Sequence, residues 1–169
     1  MIRAARPEDV RAIAEVQVRA WRWAYADIVA DEDMPTVDAR EARWRDIDLD
    51  GTVVWDQDGA IAGFASVGAS PDDDAGPSTG AVYALYVDPP AQGAGVGAAL
   101  LEDAVDRLRD GGRQTATLWV FTANGHARGF YEARGWRRDG ATGEWLGSAT
   151  MRYRLALQDS PAPAAAPRA

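Results

Sequence analysis

The 169-residue sequence contains no cysteine and only one histidine, His126. The missing thiols exclude disulfides, a cysteine nucleophile and cysteine-based zinc sites. A single imidazole cannot build a histidine-rich metal centre, so we expect no bound metal. All 18 basic residues are arginine. Because lysine is absent, a Walker-type phosphate loop and Schiff-base catalysis are excluded as well.

Positive charge is also scarce, since 26 acidic residues against 18 basic ones give a net charge of −8. That balance disfavours nucleic acid as a partner. No apolar run approaches the roughly 18–20 residues of a membrane span, and the charged first ten residues do not resemble a signal peptide. We therefore expect a cytoplasmic protein that binds neither nucleic acid nor membrane.

Hydrophobic residues make up 47% and charged residues 26% of the chain, which is typical of a globular protein. The patterns of apolar and turn residues predict one α/β domain over residues 1–157. The proline- and alanine-rich residues 158–169 are expected to form a disordered tail. We predict strands at 2–5, 52–55, 60–68, 81–87, 115–121, 136–145 and 149–155, and helices at 10–28 (with a break near Tyr25), 36–48, 95–109 and 125–134.

Two further expectations concern the middle of the chain. Residues 81–87, AVYALYV, form a nearly continuous apolar run that is typical of a central strand covered on both faces. Residues 69–79 are polar and contain three consecutive aspartates, Asp72, Asp73 and Asp74. We expect this segment to be a mobile, solvated loop.

The most informative segment is 83–101, where a buried strand is followed by a glycine-rich turn and then by a helix. Small residues let a ligand approach the backbone, and the first N–H groups of a helix have no partners, so this junction suits a phosphate or pyrophosphate. Two other interpretations are a plain turn into a helix and a dinucleotide site, because Gly93, Gly95 and Ala98 match G-x-G-x-x-A. The motif's place past mid-chain and the lack of an acidic residue ending the next strand argue against the dinucleotide site.

Two motifs carry a resemblance to the GNAT acetyltransferase superfamily. The turn QGAGVG at 92–97 is similar to that family's Q/R-x-x-G-x-G/A signature, and NGHARGFYEARGW at 124–136 is similar to its N-x-x-A-x-x-F-Y…G-F/W pattern. The strand YALYV followed by Asp88-Pro89 also fits. The resemblance covers residues 1–157 and implies a GNAT-like order, β-α-α-β-β-β-α-β-α-β-β, with a splayed central sheet.

The resemblance implies an enzyme that moves an acetyl group from acetyl-CoA to an amine. Without a cysteine there is no cysteinyl acyl-enzyme, so we expect direct transfer in a ternary complex. A non-catalytic acyl-CoA-binding module, sensing or regulatory, remains the alternative. The residues implied to bind the cofactor are Leu85, Tyr86, Val87, Gln92, Gly93, Ala94, Gly95, Val96, Gly97, Ala98, Asn124 and Tyr131.

The catalytic candidates are two tyrosines. The resemblance implies that Tyr131 lies near the thioester sulfur, where its hydroxyl could donate a proton to the leaving CoA; a packed core aromatic is the alternative. Many family members carry a glutamate base on the fourth strand, at the position of Ala81 here. Tyr83 is then the first candidate for the base, although it could equally be a core tyrosine, and Asp27 or Glu32 could serve instead. For His126 we favour a solvent-facing position over a catalytic one.

The acceptor wall is expected to include Trp21, Tyr25, Asp27 and Trp119. For Trp21, core packing is the stronger alternative. Together with the acidic residues 31–33, these aromatics would suit a cationic amine, such as a polyamine, an aminoglycoside or a peptide N-terminus. Family members are often dimers, so a homodimer is compatible with the resemblance, but no residue indicates an interface.

Overall fold

The computed structural model describes residues 1–157, and the predicted tail at 158–169 lies outside them. A seven-stranded sheet with the order β1-β2-β3-β4-β5-β7-β6 is flanked by helices. The predicted order of elements is confirmed, and most boundaries differ by only one to three residues. The strands are β1 (Ile2–Ala4), β2 (Thr52–Gln57), β3 (Ala60–Ala69), β4 (Thr79–Val87), β5 (Thr115–Phe121), β6 (Arg137–Trp145) and β7 (Ser148–Ala156), and the helices are α1 (Val10–Tyr25), α2 (Val37–Arg45), α3 (Val96–Asp110) and α4 (Gly125–Glu132).

The helices cover opposite faces of the sheet and form two hydrophobic clusters. On one face α1 and α2 pack around Phe64, and the Trp44 indole donates a buried hydrogen bond of 2.8 Å to Gln17 Oε1. On the other face α3 packs through Leu100 and Leu101. The helices on the two faces of the sheet are therefore packed in separate hydrophobic cores. None of the helices within residues 1–157 is both long and apolar enough to cross a bilayer.

The sheet is open at its centre. β4 and β5 form the parallel pair, and they are joined only where residues 79–81 meet residues 115–117. On the other side of β4, Ser66 pairs with Ala84 while the next residue, Val67, pairs with Val82, so Tyr83 is an extra residue in a β-bulge. Bulges bend a strand and turn its edge away from its neighbour. The two strands consequently separate beyond Ala81, as the splayed sheet requires.

The loop between β3 and β4 is largely exposed to solvent, as predicted, but two of its three aspartates are tied to the sheet by Arg152. Arg152 on β7 is 5% exposed. Its guanidinium makes two hydrogen bonds to Asp74, at 2.6 and 2.7 Å, and one to Asp72 at 3.1 Å. Its Nε donates to Asp139 on β6 at 2.7 Å. The two loop aspartates, Asp72 and Asp74, therefore compensate a buried cation that lies 80 and 78 positions further along the chain.

Replacing Arg152 is expected to destabilise the fold. Arg152→Gln would leave Asp72 and Asp139, which are largely buried, without their cation, and we expect a loss of about 3 kcal/mol in the free energy of unfolding. Arg154→Gln is the control, because Arg154 is more exposed and contacts Asp139 at 3.3 Å; it should cost less than about 1 kcal/mol. Urea unfolding followed by tryptophan fluorescence measures both, and equal losses would contradict this account of the loop.

Candidate active site

A cavity of about 900 Å³ occupies the opening between β4 and β5 and continues under α1 and α2. Many of the predicted site residues line it, and Ala94, Val96 and Asp27 do not. The predicted residues that line the cavity are Trp21, Tyr25, Tyr83, Leu85, Tyr86, Val87, Gln92, Gly93, Gly95, Gly97, Ala98, Trp119, Asn124 and Tyr131.

The turn before α3 presents a run of unpaired main-chain donors. The N–H groups of residues 93–98 make no hydrogen bond to any part of residues 1–157, and the next one, that of Ala99, donates to Gly95 O at 3.0 Å. Six consecutive donors at the positive end of a helix favour a polyanion. The amide of Gln92, which was predicted to join them, donates instead to Pro89 O at 3.2 Å, and its side chain donates to Val87 O at 3.3 Å.

Glycine is required at two positions of this turn. Gly93 and Gly95 have φ of +79° and +84°, in the left-handed region that other residues adopt only at a cost. Gly97 has ordinary helical φ but lies on the cavity wall, where an added Cβ would be 3.4 Å from Val87 and 3.7 Å from Phe130. A larger side chain at Gly97 would therefore enter the cavity between these two residues.

β4 offers a second set of main-chain groups. The Asp88 N–H donates to Ala62 O on the β3 side at 2.9 Å. Because peptide groups alternate between the two edges of an antiparallel strand, those of Leu85 and Val87 face the opening instead. A bidentate ion pair at 2.8 Å between Arg19 on α1 and Asp88 fixes the end of the strand. The opening thus has a free strand edge that an extended ligand could pair with.

Three tyrosines meet at the centre of the cavity. Burial raises the pKa of Tyr131 well above its ordinary value, and the neighbouring Tyr86 hydroxyl raises it further. Burial also raises the pKa of Tyr25 and of Tyr86. The Tyr131 ring packs against Phe130 and Trp136, and its hydroxyl makes no hydrogen bond within residues 1–157. Tyr131 is therefore neutral at physiological pH and free to donate a hydrogen bond to a ligand.

Tyr83, the first candidate for the base, is less suitable for that role. Its hydroxyl donates to Ala69 O, and its ring covers Gly68. Tyr83 is 54% exposed, so the alternative of a core tyrosine is wrong. Partial burial still raises its pKa, against the opposing charge of Arg113, and this opposes formation of the phenolate that a base requires. The alternatives Asp27 and Glu32 do not line the cavity, and in the described part of the chain no other aspartate or glutamate does so either. Ala81, where many family members carry glutamate, is buried beside the last paired residues of β4 and β5.

Asn124 and His126 lie at the start of α4. Asn124 caps this helix, since its Oδ1 accepts from the Ala127 N–H at 3.0 Å, and its side-chain amide N–H groups remain available at the cavity. His126 is exposed, as predicted, but it lines the cavity, and its ring lies 5.6 Å from the ring of Trp23.

The acceptor side is aromatic. Trp21 is 1% exposed, and its ring lies 5.3 Å from that of Tyr25 and 5.1 Å from that of Trp145. Tyr25 in turn packs on Phe121, with ring centroids 4.9 Å apart. Trp119 is 42% exposed, and its indole N–H donates to Asp72 at 3.0 Å, which links this wall to the loop held by Arg152.

Comparison with known proteins identifies this architecture. A model of the acetyltransferase (GNAT) family matches residues 12–136. The chain belongs to this family. The uncharacterized N-acetyltransferase YuaI of Bacillus subtilis is 32% identical over 126 residues, which are 73% of this chain and 72% of YuaI. The comparisons give no support to the alternative of a non-catalytic module.

Other relatives and solved structures agree. Mycothiol acetyltransferases from Beutenbergia cavernae and Sanguibacter keddieii are 41% and 34% identical over 52% and 81% of this chain, which spans only 29% and 43% of those proteins. The PaiA N-acetyltransferase of Thermoplasma acidophilum, solved with coenzyme A, superimposes with a TM-score of 0.74 at 19% identity over 92% of this chain and 98% of PaiA. YncA of Salmonella typhimurium, solved with acetyl-CoA, gives 0.72 at 24% identity over 98% of both chains.

The site of this GNAT protein fits coenzyme A on its own geometry. Of the free N–H groups at 93–98, those of Gly93, Gly95, Gly97 and Ala98 belong to residues that line the cavity, and they match a diphosphate. The open β4 edge matches an amide-bearing arm, and residues of both features line the same cavity. None of these features needs a lysine.

Sequence reasoning missed several lining residues on the acceptor side. Arg40 and Arg43 are on α2, three residues apart and therefore on one helical face. Phe121 and Trp145 come from the ends of β5 and β6, and their rings stack at 5.5 Å. The i, i+3 spacing of the arginines could have been noticed, but no local signal brings the end of β6 to α1.

Proposed function

We propose that this chain transfers the acetyl group of acetyl-CoA to a primary amine, directly and within a ternary complex. The run of unpaired N–H groups at residues 93–98 beside an open strand edge carries this proposal. Acetyl-CoA supplies the acetyl group as a thioester. The N–H groups at the start of α3 hold its diphosphate, and Leu85 and Val87 pair with its amide-bearing arm.

The chemical step needs a polarised carbonyl and a stabilised leaving group. Of the two N–H groups that face the opening, that of Leu85 is further from the diphosphate turn; it donates to the thioester carbonyl oxygen at the end of the arm as charge develops there, and the Val87 N–H pairs with the arm itself. The amine nitrogen forms a bond to the carbonyl carbon while the carbon–sulfur bond breaks. Tyr131, neutral and with an unpartnered hydroxyl, gives its proton to the departing sulfur and regains one from solvent.

Within residues 1–157 no carboxylate lines the cavity, so none of these residues takes the proton of the amine directly. We propose that the acceptor reacts as the free base and that its second proton leaves through water. The rate should then rise with pH as the amine deprotonates. In this scheme Tyr83 supports the β4 bulge through its bond to Ala69 and does not act as the base.

The test is a screen of the purified chain with acetyl-CoA and primary amines, with release of free CoA thiol as the readout. The panel contains amino acids, their carboxamides, polyamines, aminoglycosides and short peptides. We expect at least one amine to raise thiol release far above the rate without amine, and mass spectrometry to show the N-acetylated product. Tight CoA binding with no amine acetylated would overturn this proposal and return the binding-module alternative.

A further inference from the structure

Arg40 is a half-buried cation that has no anionic or hydrogen-bonding partner within residues 1–157. Its guanidinium lies 4.6 Å from the centroid of the Trp21 ring, and its Nε is buried without a hydrogen bond. Within residues 1–157 its side chain makes no ion pair and no hydrogen bond of any kind. Burial lowers the pKa of Arg40; the Tyr86 hydroxyl acts in the opposite direction, and the charge of Arg43 lowers the pKa by a smaller amount.

An isolated charge removed from water is costly unless something compensates it. The other arginines of residues 1–157 that are buried or half-buried all have partners, whether carboxylates or main-chain carbonyls. They are Arg3, Arg113, Arg128, Arg152 and Arg154. Arg45, on the same helix as Arg40, pairs with Glu41 away from the cavity. The exception at Arg40 coincides with a cavity wall, which indicates that its partner is a ligand.

The charges of the side chains that line the cavity also favour an anionic ligand. The protein carries a net charge of −8, but among residues 1–157 the side chains that line the cavity include Arg40, Arg43 and Arg134 and no aspartate or glutamate. A polyamine or an aminoglycoside would meet repulsion here, not the acidic rim that the sequence suggested. Asp27 and the acidic residues 31–33, which were expected to attract a cation, are not part of the lining.

Arg40 is on the wrong face of the sheet to serve the diphosphate of CoA. It lies over Trp21 and near the Tyr86 hydroxyl, in the layer of α1 and α2, where Tyr86 packs against the Phe64 cluster. Val87, Phe130 and Tyr131 pack with the α3 cluster on the other face. Residues of both faces line one cavity, and its wall also contains the three tyrosines. An anion at Arg40 would thus belong to the acceptor.

We propose that Arg40, assisted by Arg43, binds a carboxylate of the acceptor, so that the substrate is an amine that also carries a carboxylate, as an amino acid does. This inference rests on the proposed function, because it names the acceptor class of the same site. A guanidinium stacked on an indole presents its edge to a planar, singly charged group in a bidentate arrangement. A phosphate dianion would bring a larger desolvation cost into this aromatic pocket.

Matched pairs of amines test the proposal in the transfer assay. Each amino acid is compared with its own carboxamide, and an aminoalkyl phosphate is included. The carboxamide has the less basic amine and therefore more free base, so solution chemistry favours it. We expect the enzyme to reverse that order by at least about 30-fold in kcat/KM, the size of one charge-assisted pair. A preference for the carboxamide or for the phosphate would overturn the inference.

Variants of Arg40 test the residue itself. Arg40→Gln should abolish the preference for the acid. Arg40→Lys keeps the positive charge but cannot make two parallel hydrogen bonds to a carboxylate, so it should keep part of the preference. Arg22→Gln is the matched control, because Arg22 is exposed on α1 and does not line the cavity. Removing an uncompensated charge should leave the melting temperature unchanged or raise it. A preference that survives Arg40→Gln would contradict the proposal.

A binding measurement separates this inference from the proposed function. N-acetylleucine and N-acetylleucinamide, which resemble the products, are titrated into the CoA-bound protein by calorimetry. We expect the wild type to bind the acid at least about 10-fold more tightly than the amide. Arg40→Gln should bind both compounds equally weakly. That result would uphold the carboxylate site even if no amine were acetylated. Equal affinity of the two compounds for the wild type would refute it even if transfer to other amines succeeded.

Discussion

Gly97→Val should lower the affinity for CoA about 100-fold while the protein remains folded. Gly97 lies in the first turn of α3, and a branched side chain there would fill the cavity between Val87 and Phe130. It would also displace the diphosphate from main-chain donors that contribute roughly 1.5–3 kcal/mol each to a charged acceptor. The helix itself should gain slightly, because valine is a better helix former than glycine. Isothermal titration calorimetry with CoA measures the affinity, and a melting curve checks the fold.

Gly129→Val is the control for this change. Gly129 is also helical, on α4, but an added Cβ there meets nothing within 4 Å and the residue does not line the cavity. The control should keep the wild-type affinity for CoA within about 2-fold. Unchanged CoA affinity in Gly97→Val would show that the ligand does not pass between Val87 and Phe130.

Tyr131→Phe should lower kcat about 100-fold or more and leave CoA affinity within about 3-fold. The substitution removes only the hydroxyl oxygen, which makes no hydrogen bond within residues 1–157, so the fold loses no internal contact. The lost factor is that of a proton donor to the leaving sulfur, which typically contributes 10²–10⁴-fold. Thiol release at saturating acetyl-CoA gives kcat, and calorimetry gives the affinity.

Tyr83→Phe distinguishes the two tyrosines. If Tyr83 supports the bulge only, its removal should reduce turnover modestly and leave the shape of the pH–rate profile unchanged. If Tyr83 were the base, the limb of the profile that reports its ionisation would disappear. Full activity in Tyr131→Phe, with loss confined to Tyr83→Phe, would reverse the roles proposed for these residues.

The strand–turn–helix junction could be predicted from the sequence because it is local. The apolar run that ends at Val87, the glycines at 93, 95 and 97, and the apolar periodicity of α3 lie within about 25 consecutive residues. Each of these signals specifies the local backbone conformation. In the structure that conformation leaves the N–H groups of residues 93–98 free. The cap at Asn124 is local for the same reason.

The acceptor side could not be predicted in the same way, because distant segments build it. Trp145 reaches Trp21 only after β6 and β7 are added beyond β5, and Arg152 fixes Asp72 from eighty positions away. The runs of acidic residues in the sequence suggested a cationic substrate, but the fold does not place these residues in the cavity lining. In three dimensions Asp72 and Asp74 neutralise Arg152, and Arg40 is left in the cavity without a partner.

The most direct test of the main-chain diphosphate site compares two ligands that share the thiol arm. CoA and pantetheine are titrated separately into the wild-type protein, and only CoA carries the diphosphate and nucleotide. We expect CoA to bind at least about 100-fold more tightly, with Gly97→Val removing most of that difference. Equal affinities for CoA and pantetheine, or a protein that does not bind CoA, would contradict the assignment of residues 93–98 as the binding site of the diphosphate.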